Sequence, residues 1–165
     1  MIAVRRATLA DANAVRQIGL TTWPVAYAGL VPDDFIADGL AKWWSLEAVE
    51  RGITDGITLV ATDITNGTAS AEVVGMVGLG KQEDFWVMWK LYVLPTHQKA
   101  GAGKALLNAA IAALPESTPE LLLNVLVTNE KAIAFYRSRG FGTPRRTPDR
   151  DLGADVTWMS LDLNR

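Results

Sequence analysis

Between residues 91 and 104 the chain reads Leu-Tyr-Val-Leu-Pro-Thr-His-Gln-Lys-Ala-Gly-Ala-Gly-Lys, an apolar strand that breaks at Pro95 and enters a helix through a glycine turn. Gly101 and Gly103 carry no Cβ, so the backbone there can bend tightly and let a ligand come close. The first N–H groups of the helix lack intrahelical acceptors and face the turn. That is a cradle for a phosphate or pyrophosphate, favoured further by the positive end of the helix dipole. Spacing separates the ligand families that use such turns. A P-loop needs Gly where Gln98 stands and Ser or Thr where Ala105 stands. A dinucleotide fingerprint needs a small residue at Leu106 and an acidic ribose ligand after the next strand, where the chain has Asn129.

The rest of the inventory is narrow. There is no cysteine and one histidine among 165 residues, so thiolate nucleophiles, disulfides and Cys/His metal centres are excluded. Metal catalysis is not expected. His97 lies in the turn after Pro95, on the phosphate side, and reads as a solvated loop residue. Arg145, Arg146 and Arg150 read as a solvated cluster offset by Asp149 and Asp151, with a contact from that loop to substrate or cofactor phosphate as the alternative. A net charge of −2 gives no basic field for nucleic acid. The apolar run at 121–127 is short and interrupted by Asn124, and the first residues include Arg5, Arg6 and Asp11, so neither a membrane span nor a signal peptide is expected. A cytoplasmic location is the default.

The elements that must position these residues alternate between strand and helix periodicity. A strand over 2–7 is followed by a helix that Thr8 or Asp11 caps and Pro24 ends. A loop and a short helix opened by Pro32 fill the stretch up to Gly39, and a further helix covers about 40–51. Strands at 57–64 and 72–79 are expected to pair antiparallel through a turn at Asn66-Gly67. Residues 85–94 are apolar on both alternating faces except for Lys90, the mark of a strand at the sheet centre. A helix at 101–114, a strand at 121–127, a helix at 129–139 closed by Gly140 and a strand at 156–163 complete one domain, residues 1–165.

This order, together with Gln98-x-x-Gly101-x-Gly103, the segment Asn129-x-x-Ala132-x-x-Phe135-Tyr136-x-x-x-Gly140-Phe141 and Arg5-Arg6-Ala7-Thr8-x-x-Asp11, resembles the GCN5-related N-acetyltransferases over nearly the whole chain. The resemblance implies an α/β fold: a mixed, mostly antiparallel sheet of six to seven strands, helices on both faces and a splayed central strand pair. It implies acetyl coenzyme A as cosubstrate, with no metal. Its diphosphate would be held by the backbone at Ala100, Gly101, Ala102, Gly103 and Lys104, with Gln98 and with charge from Lys99 or Lys104. Pantetheine would lie along Leu91 and Val93, and the Val93 N–H would polarise the acetyl carbonyl.

Asn129 could serve only as an N-cap, or could also bind pantetheine. Tyr136, two turns along the same helix face, is either core or the donor of a proton to the departing thiolate. Many members keep a Glu on the central strand as base; here the nearest acids are Glu83 and Asp84, just before it, expected to act through a water chain. The acceptor would meet Trp23, Tyr27, Asp34 and Phe35, aromatics and an acid that suit a cationic or amphipathic amine. The acceptor class is a small-molecule amine or a peptide N-terminus, the partner being neither nucleic acid nor membrane, and the protein a monomer or homodimer. A module that binds acyl coenzyme A without catalysis is the alternative that the missing Glu leaves open.

Overall fold

The computed structural model describes residues 1–64 and 71–164, so the Asn66-Gly67 turn lies outside the described residues. Six strands, β1 (Ile2–Arg6), β2 (Ile57–Asp63), β3 (Glu72–Gln82), β4 (Phe85–Val93), β5 (Glu120–Leu126) and β6 (Val156–Asp162), form one sheet in sequence order. Every neighbouring pair is antiparallel except β4 and β5, which run parallel. A parallel pair needs a crossover, and the helix after the glycine turn, Ala102–Ala113, supplies it. That helix and the one at Glu130–Ser138 cover one face, packing Leu106, Leu107 and Phe135 against Val77, Leu121 and Leu123. The other face is covered by three helices, α1 (Ala12–Tyr27), α2 (Asp33–Trp43) and α3 (Leu46–Asp55), with Val15, Ile18 and Trp44 over Val60 and Met76. The two helices of the first face are α4 and α5 in chain order. No helix among the described residues is long and apolar enough to cross a membrane.

Two boundaries on the α1–α3 face differ from the sequence expectation. Pro24 does not end the first helix, which continues through Tyr27. In the last turn Pro24 forfeits only the bond to the Leu20 carbonyl, and the turn is held from the side because Trp23 is buried and meets the Tyr27 ring at 4.9 Å. Gly39, expected as a stop, lies inside α2. A Cβ there would come within 2.1 Å of the Trp23 ring, so the residue is small to admit the indole. The helix break falls instead at Trp44 and Ser45, where the Ser45 hydroxyl accepts the Ala48 N–H at 3.1 Å and caps α3.

Local chemistry also fixes the entry to α1. Arg5 on β1 donates twice to the Asp11 carboxylate, at 2.8 and 2.9 Å, and the Thr8 N–H donates to it at 2.8 Å. These bonds, led by that from Arg5, lower the Asp11 pKa to about 2.

The central strand is irregular in a way that matters below. Gly78 pairs with Lys90 but Leu79 with Met88, which leaves Trp89 as the extra residue of a β-bulge. On the other side, β4 pairs with β5 only from Trp86↔Leu121 to Met88↔Leu123. The splay expected from the resemblance begins at the bulge.

Because the Asp11 carboxylate is depressed in the fold, its stabilisation is complete above pH 4 and is lost as pH falls toward 2. Asp11→Asn is expected to cost about 2 kcal/mol at pH 7 in denaturant titration, with the deficit shrinking to near zero by about pH 2.

Candidate active site

Backbone groups line the opening first. The Leu94 N–H donates to the Val74 carbonyl at 2.8 Å, and the ladder continues as Val93↔Gly75, Tyr92↔Met76 and Leu91↔Val77. Bonded and non-bonded pairs alternate in an antiparallel ladder, so Leu91 and Val93 direct their N–H and C=O groups away from β3. In an unbroken sheet β5 would accept them, but the β4–β5 pairing has already ended. The Gln98 side chain donates to the Val93 carbonyl at 3.3 Å. The Val93 N–H and both main-chain groups of Leu91 face a cleft of about 1330 Å³ between the parted strands. Buried main-chain groups require partners, so this edge is built to receive one.

The glycine turn closes one end of that cleft. Gly101 has φ of 81°, the left-handed conformation that glycine adopts without strain, and α4 starts after it. The first N–H to find a helical acceptor is that of Ala105, at 3.0 Å from the Gly101 carbonyl. The N–H groups of Ala102, Gly103 and Lys104 therefore have no acceptor within the helix. A Cβ added to Gly103 would meet nothing within 4 Å, so the turn is open on that side. Ala100 differs from expectation: its N–H is used inside the turn, bonded to the His97 carbonyl at 3.2 Å. Gln98 braces the turn against β4, while Lys99 borders the cleft and Lys104 is exposed. His97 faces the far side, paired with Asp63 at 3.2 Å.

Side chains from both faces meet where the strands part. Asn129 caps α5, its carbonyl oxygen accepting the Ala132 N–H at 3.3 Å, which leaves its two amide hydrogens to the cleft it lines. Tyr136, two turns on, packs its ring at 5.6 Å from Phe141, and its hydroxyl has no hydrogen bond among the described residues. Burial, and next the charge that Tyr27 would carry, raise its pKa well above that of a free phenol, so it stays protonated. From the opposite face, Trp23 Nε1 donates to the Tyr92 hydroxyl at 3.0 Å, and the Tyr92 and Tyr27 hydroxyls lie 2.8 Å apart. Either hydroxyl can donate in that contact, so the tyrosine pair keeps one hydrogen to donate onward.

Three expected residues are not brought here. Asp34 is exposed on α2 and does not line the cleft. Glu83 and Asp84 form the β3–β4 turn, with Asp84 83% exposed and 4.0 Å from Arg146. Asp84 lies seven residues along the strand from Leu91, about 23 Å at the usual rise. Among the described residues, Asp55 at the end of α3 is the one carboxylate lining the cleft. Phe35 does line it, stacked 6.3 Å from Trp23.

Two further cations border the cleft, one of them given no place in it by the sequence. Lys90 extends under α2 and α3: its ammonium lies 4.0 Å from the Trp44 ring and donates to the Trp43 carbonyl at 2.6 Å. Burial lowers its pKa to about 8. The signal was present, as the single charge in an apolar strand. Arg150, read as solvated, stacks 4.8 Å over Trp89 and donates to Gln82 at 2.9 Å, so the 143–155 loop folds back onto the cleft.

A mixed sheet opened between two parallel strands, with free main-chain donors and an open glycine turn, is a fold shared with solved acyltransferases. The sequence profile of the acetyltransferase (GNAT) family matches residues 43–141, more than half of the chain. The chain belongs to that family. Its fold is similar to the PaiA N-acetyltransferase of Thermoplasma acidophilum, solved in complex with coenzyme A, at TM-score 0.82 and 21% identity over 98% of this chain and 99% of that one. It is also similar to a GNAT-family acetyltransferase of Staphylococcus aureus Mu50, at 0.75 and 19% over 99% and 100%. Arabidopsis thaliana NAA60, solved with a bisubstrate analogue, matches at 0.72 and 18% over 99% and 100%.

A lysine whose pKa is depressed in the fold binds fewer protons than in the unfolded chain between pH 8 and 10.5, so it weakens folding below that window. Lys90→Met is expected to raise stability by about 1–2 kcal/mol at pH 7. The gain should shrink as pH rises from 8 to 10.5, followed by urea unfolding across that range.

Proposed function

We propose that the protein transfers an acetyl group from acetyl coenzyme A to a primary amine of a small molecule or a peptide N-terminus, by direct attack in a ternary complex. One observation carries this reading: the unpaired Leu91 and Val93 edge joins the open glycine turn at one end and meets Tyr136 at the other. The residues present fit the cosubstrate. The free N–H groups of Ala102, Gly103 and Lys104 suit a diphosphate, with Lys99 alongside, and the Gly103 face has room for it.

The Leu91 and Val93 main chain then binds pantetheine as an added strand would, helped by the Asn129 amide. The parting starts at Met88, so Leu91 is nearer the closed end of the cleft than Val93. On that ground the Leu91 N–H suits the acyl carbonyl oxygen and the Val93 N–H the pantetheine arm, shifting by two residues the role expected from sequence. The acceptor enters beside Trp23, Tyr27 and Phe35, where the hydrogen left over from the Tyr27–Tyr92 pair can orient it.

Attack forms the C–N bond and breaks the C–S bond, the amine proton passing to water and the sulfur gaining one by way of Tyr136. Because Tyr136 is a weaker acid than a free phenol, it acts only on a sulfur already carrying charge. Glu83 and Asp84 take no part in this reading.

Calorimetry with acetyl coenzyme A is the first test, and the absence of binding at millimolar ligand would sink the proposal. Gly103→Val is expected to keep its folding stability but to weaken that binding about tenfold or more, by filling the open face of the turn. Tyr136→Phe is expected to lower kcat about 100-fold with little change in KM for acetyl coenzyme A.

A further inference from the structure

The acceptor half of the cleft carries hydrogen-bond donors and positive charge without the groups that would balance them. Lys90 has three ammonium hydrogens, and one is committed to the Trp43 carbonyl. Arg150, exposed on its loop, commits one N–H to Gln82. Among the described residues neither cation makes an ion pair. Trp44, with no exposed surface, has an Nε1 without a hydrogen-bond partner, and its ring is the one Lys90 stands against. The Tyr27–Tyr92 hydroxyl pair offers a further hydrogen. The bulge at Trp89 puts the two cations on the same side of the sheet, because the two residues of a bulge share a face: Trp89 carries Arg150, and Lys90 follows it.

We infer that the acceptor is a small primary amine that also bears a carboxylate, gripped by Lys90 and Arg150, with its apolar part on Trp23, Phe35 and Trp43. This rests on the acetyl-transfer reading and adds the substrate class to it. A carboxylate brings one negative charge and about four lone-pair sites, which is what a donor-rich pocket lacks. A half-buried cation without a counter-charge carries a cost, and the fold retains Lys90 at that cost.

The diphosphate does not answer this need, since its donors lie beyond Val93 at the start of α4. Polyamines and aminoglycosides would bring more positive charge to two cations already unpaired. The acids nearby form no ion pair with either cation. Asp55 is exposed at the end of α3, and Asp38 and Asp151 line a smaller adjoining hollow of about 330 Å³ with Arg150, where Asp151 accepts the Gly153 N–H at 2.8 Å.

The test is coenzyme A release by the full chain at saturating acetyl coenzyme A, using matched amines: phenylalanine against phenethylamine, tryptophan against tryptamine, and spermidine as the polycation. Rates are compared per unit of free amine. The carboxylate-bearing member is expected to lead each pair in kcat/KM by about tenfold or more. Lys90→Met should reduce that lead to about threefold or less by raising the KM of the acid alone, and Lys90→Arg should restore part of it. Equal rates within the pairs, no turnover of the carboxylate-bearing amines, preference for spermidine, or an unchanged lead in Lys90→Met each overturns the inference. Calorimetry on the same samples separates the two readings: acetyl coenzyme A that binds and turns over with uncharged amines defeats only the substrate class, whereas its failure to bind defeats the acetyl-transfer reading itself.

Discussion

Main-chain hydrogen bonding at the sheet centre sets the terms for everything else in this molecule. A strand buried on both faces cannot leave N–H and C=O groups unpaired without cost. β4 satisfies half of its groups on β3 and then, beyond Met88, has no β5 to satisfy the other half. The bulge at Trp89 is the local cause, since one extra residue bends the strand and raises its twist just where the parallel pairing stops. A fold that keeps such an opening has a use for it. The two faces of the sheet, elsewhere sealed from each other, meet through it.

That meeting explains the arrangement of aromatic hydroxyls. Tyr27 and Tyr92 come from the α1–α3 side and Tyr136 from α5 on the opposite side, yet they are close enough to influence one another's ionisation. Burial pushes all three phenols up, so the cleft holds proton donors that remain protonated over the physiological range. The same burial acts on Lys90 in the opposite direction, because there the charged form is the protonated one. Neutral phenols that keep their hydrogens and cations that lack counter-charges together define a pocket short of acceptors.

Much of the fold was legible because its signals are local. Gly101 needs a left-handed backbone, Asn129 caps a helix, Gly140 ends one, and the apolar run from Phe85 leads into Pro95. The errors also have local causes. Pro24 and Gly39 are helix breakers by propensity, and the indole of Trp23, lying against Tyr27 on one side and over Gly39 on the other, overrides both. Ala100 was given a ligand role because a glycine turn exposes donors in general, but the turn uses that N–H itself. Glu83 and Asp84 were drawn in as the nearest acids in sequence, and the extended strand carries them to its far turn, outside the lining of the cleft.

The sequence by itself determined the kind of chain this is: the order of its strands and helices, the turn at 98–104, and the Asn129 and Tyr136 pair two turns apart on one helix, all set by spacing and by residues with special backbone or capping preferences. Tertiary structure alone decided which side chains and main-chain groups face the cleft. A β-bulge leaves no mark in an apolar run, yet by adding one residue it puts Trp89 and Lys90 on one face and turns Leu91 and Val93 toward the open edge. The 143–155 loop, polar and irregular in sequence, gains its role only by folding Arg150 onto Trp89. Side-chain direction in a sheet has a period of two, so a single inserted residue exchanges the faces, and no local propensity records it.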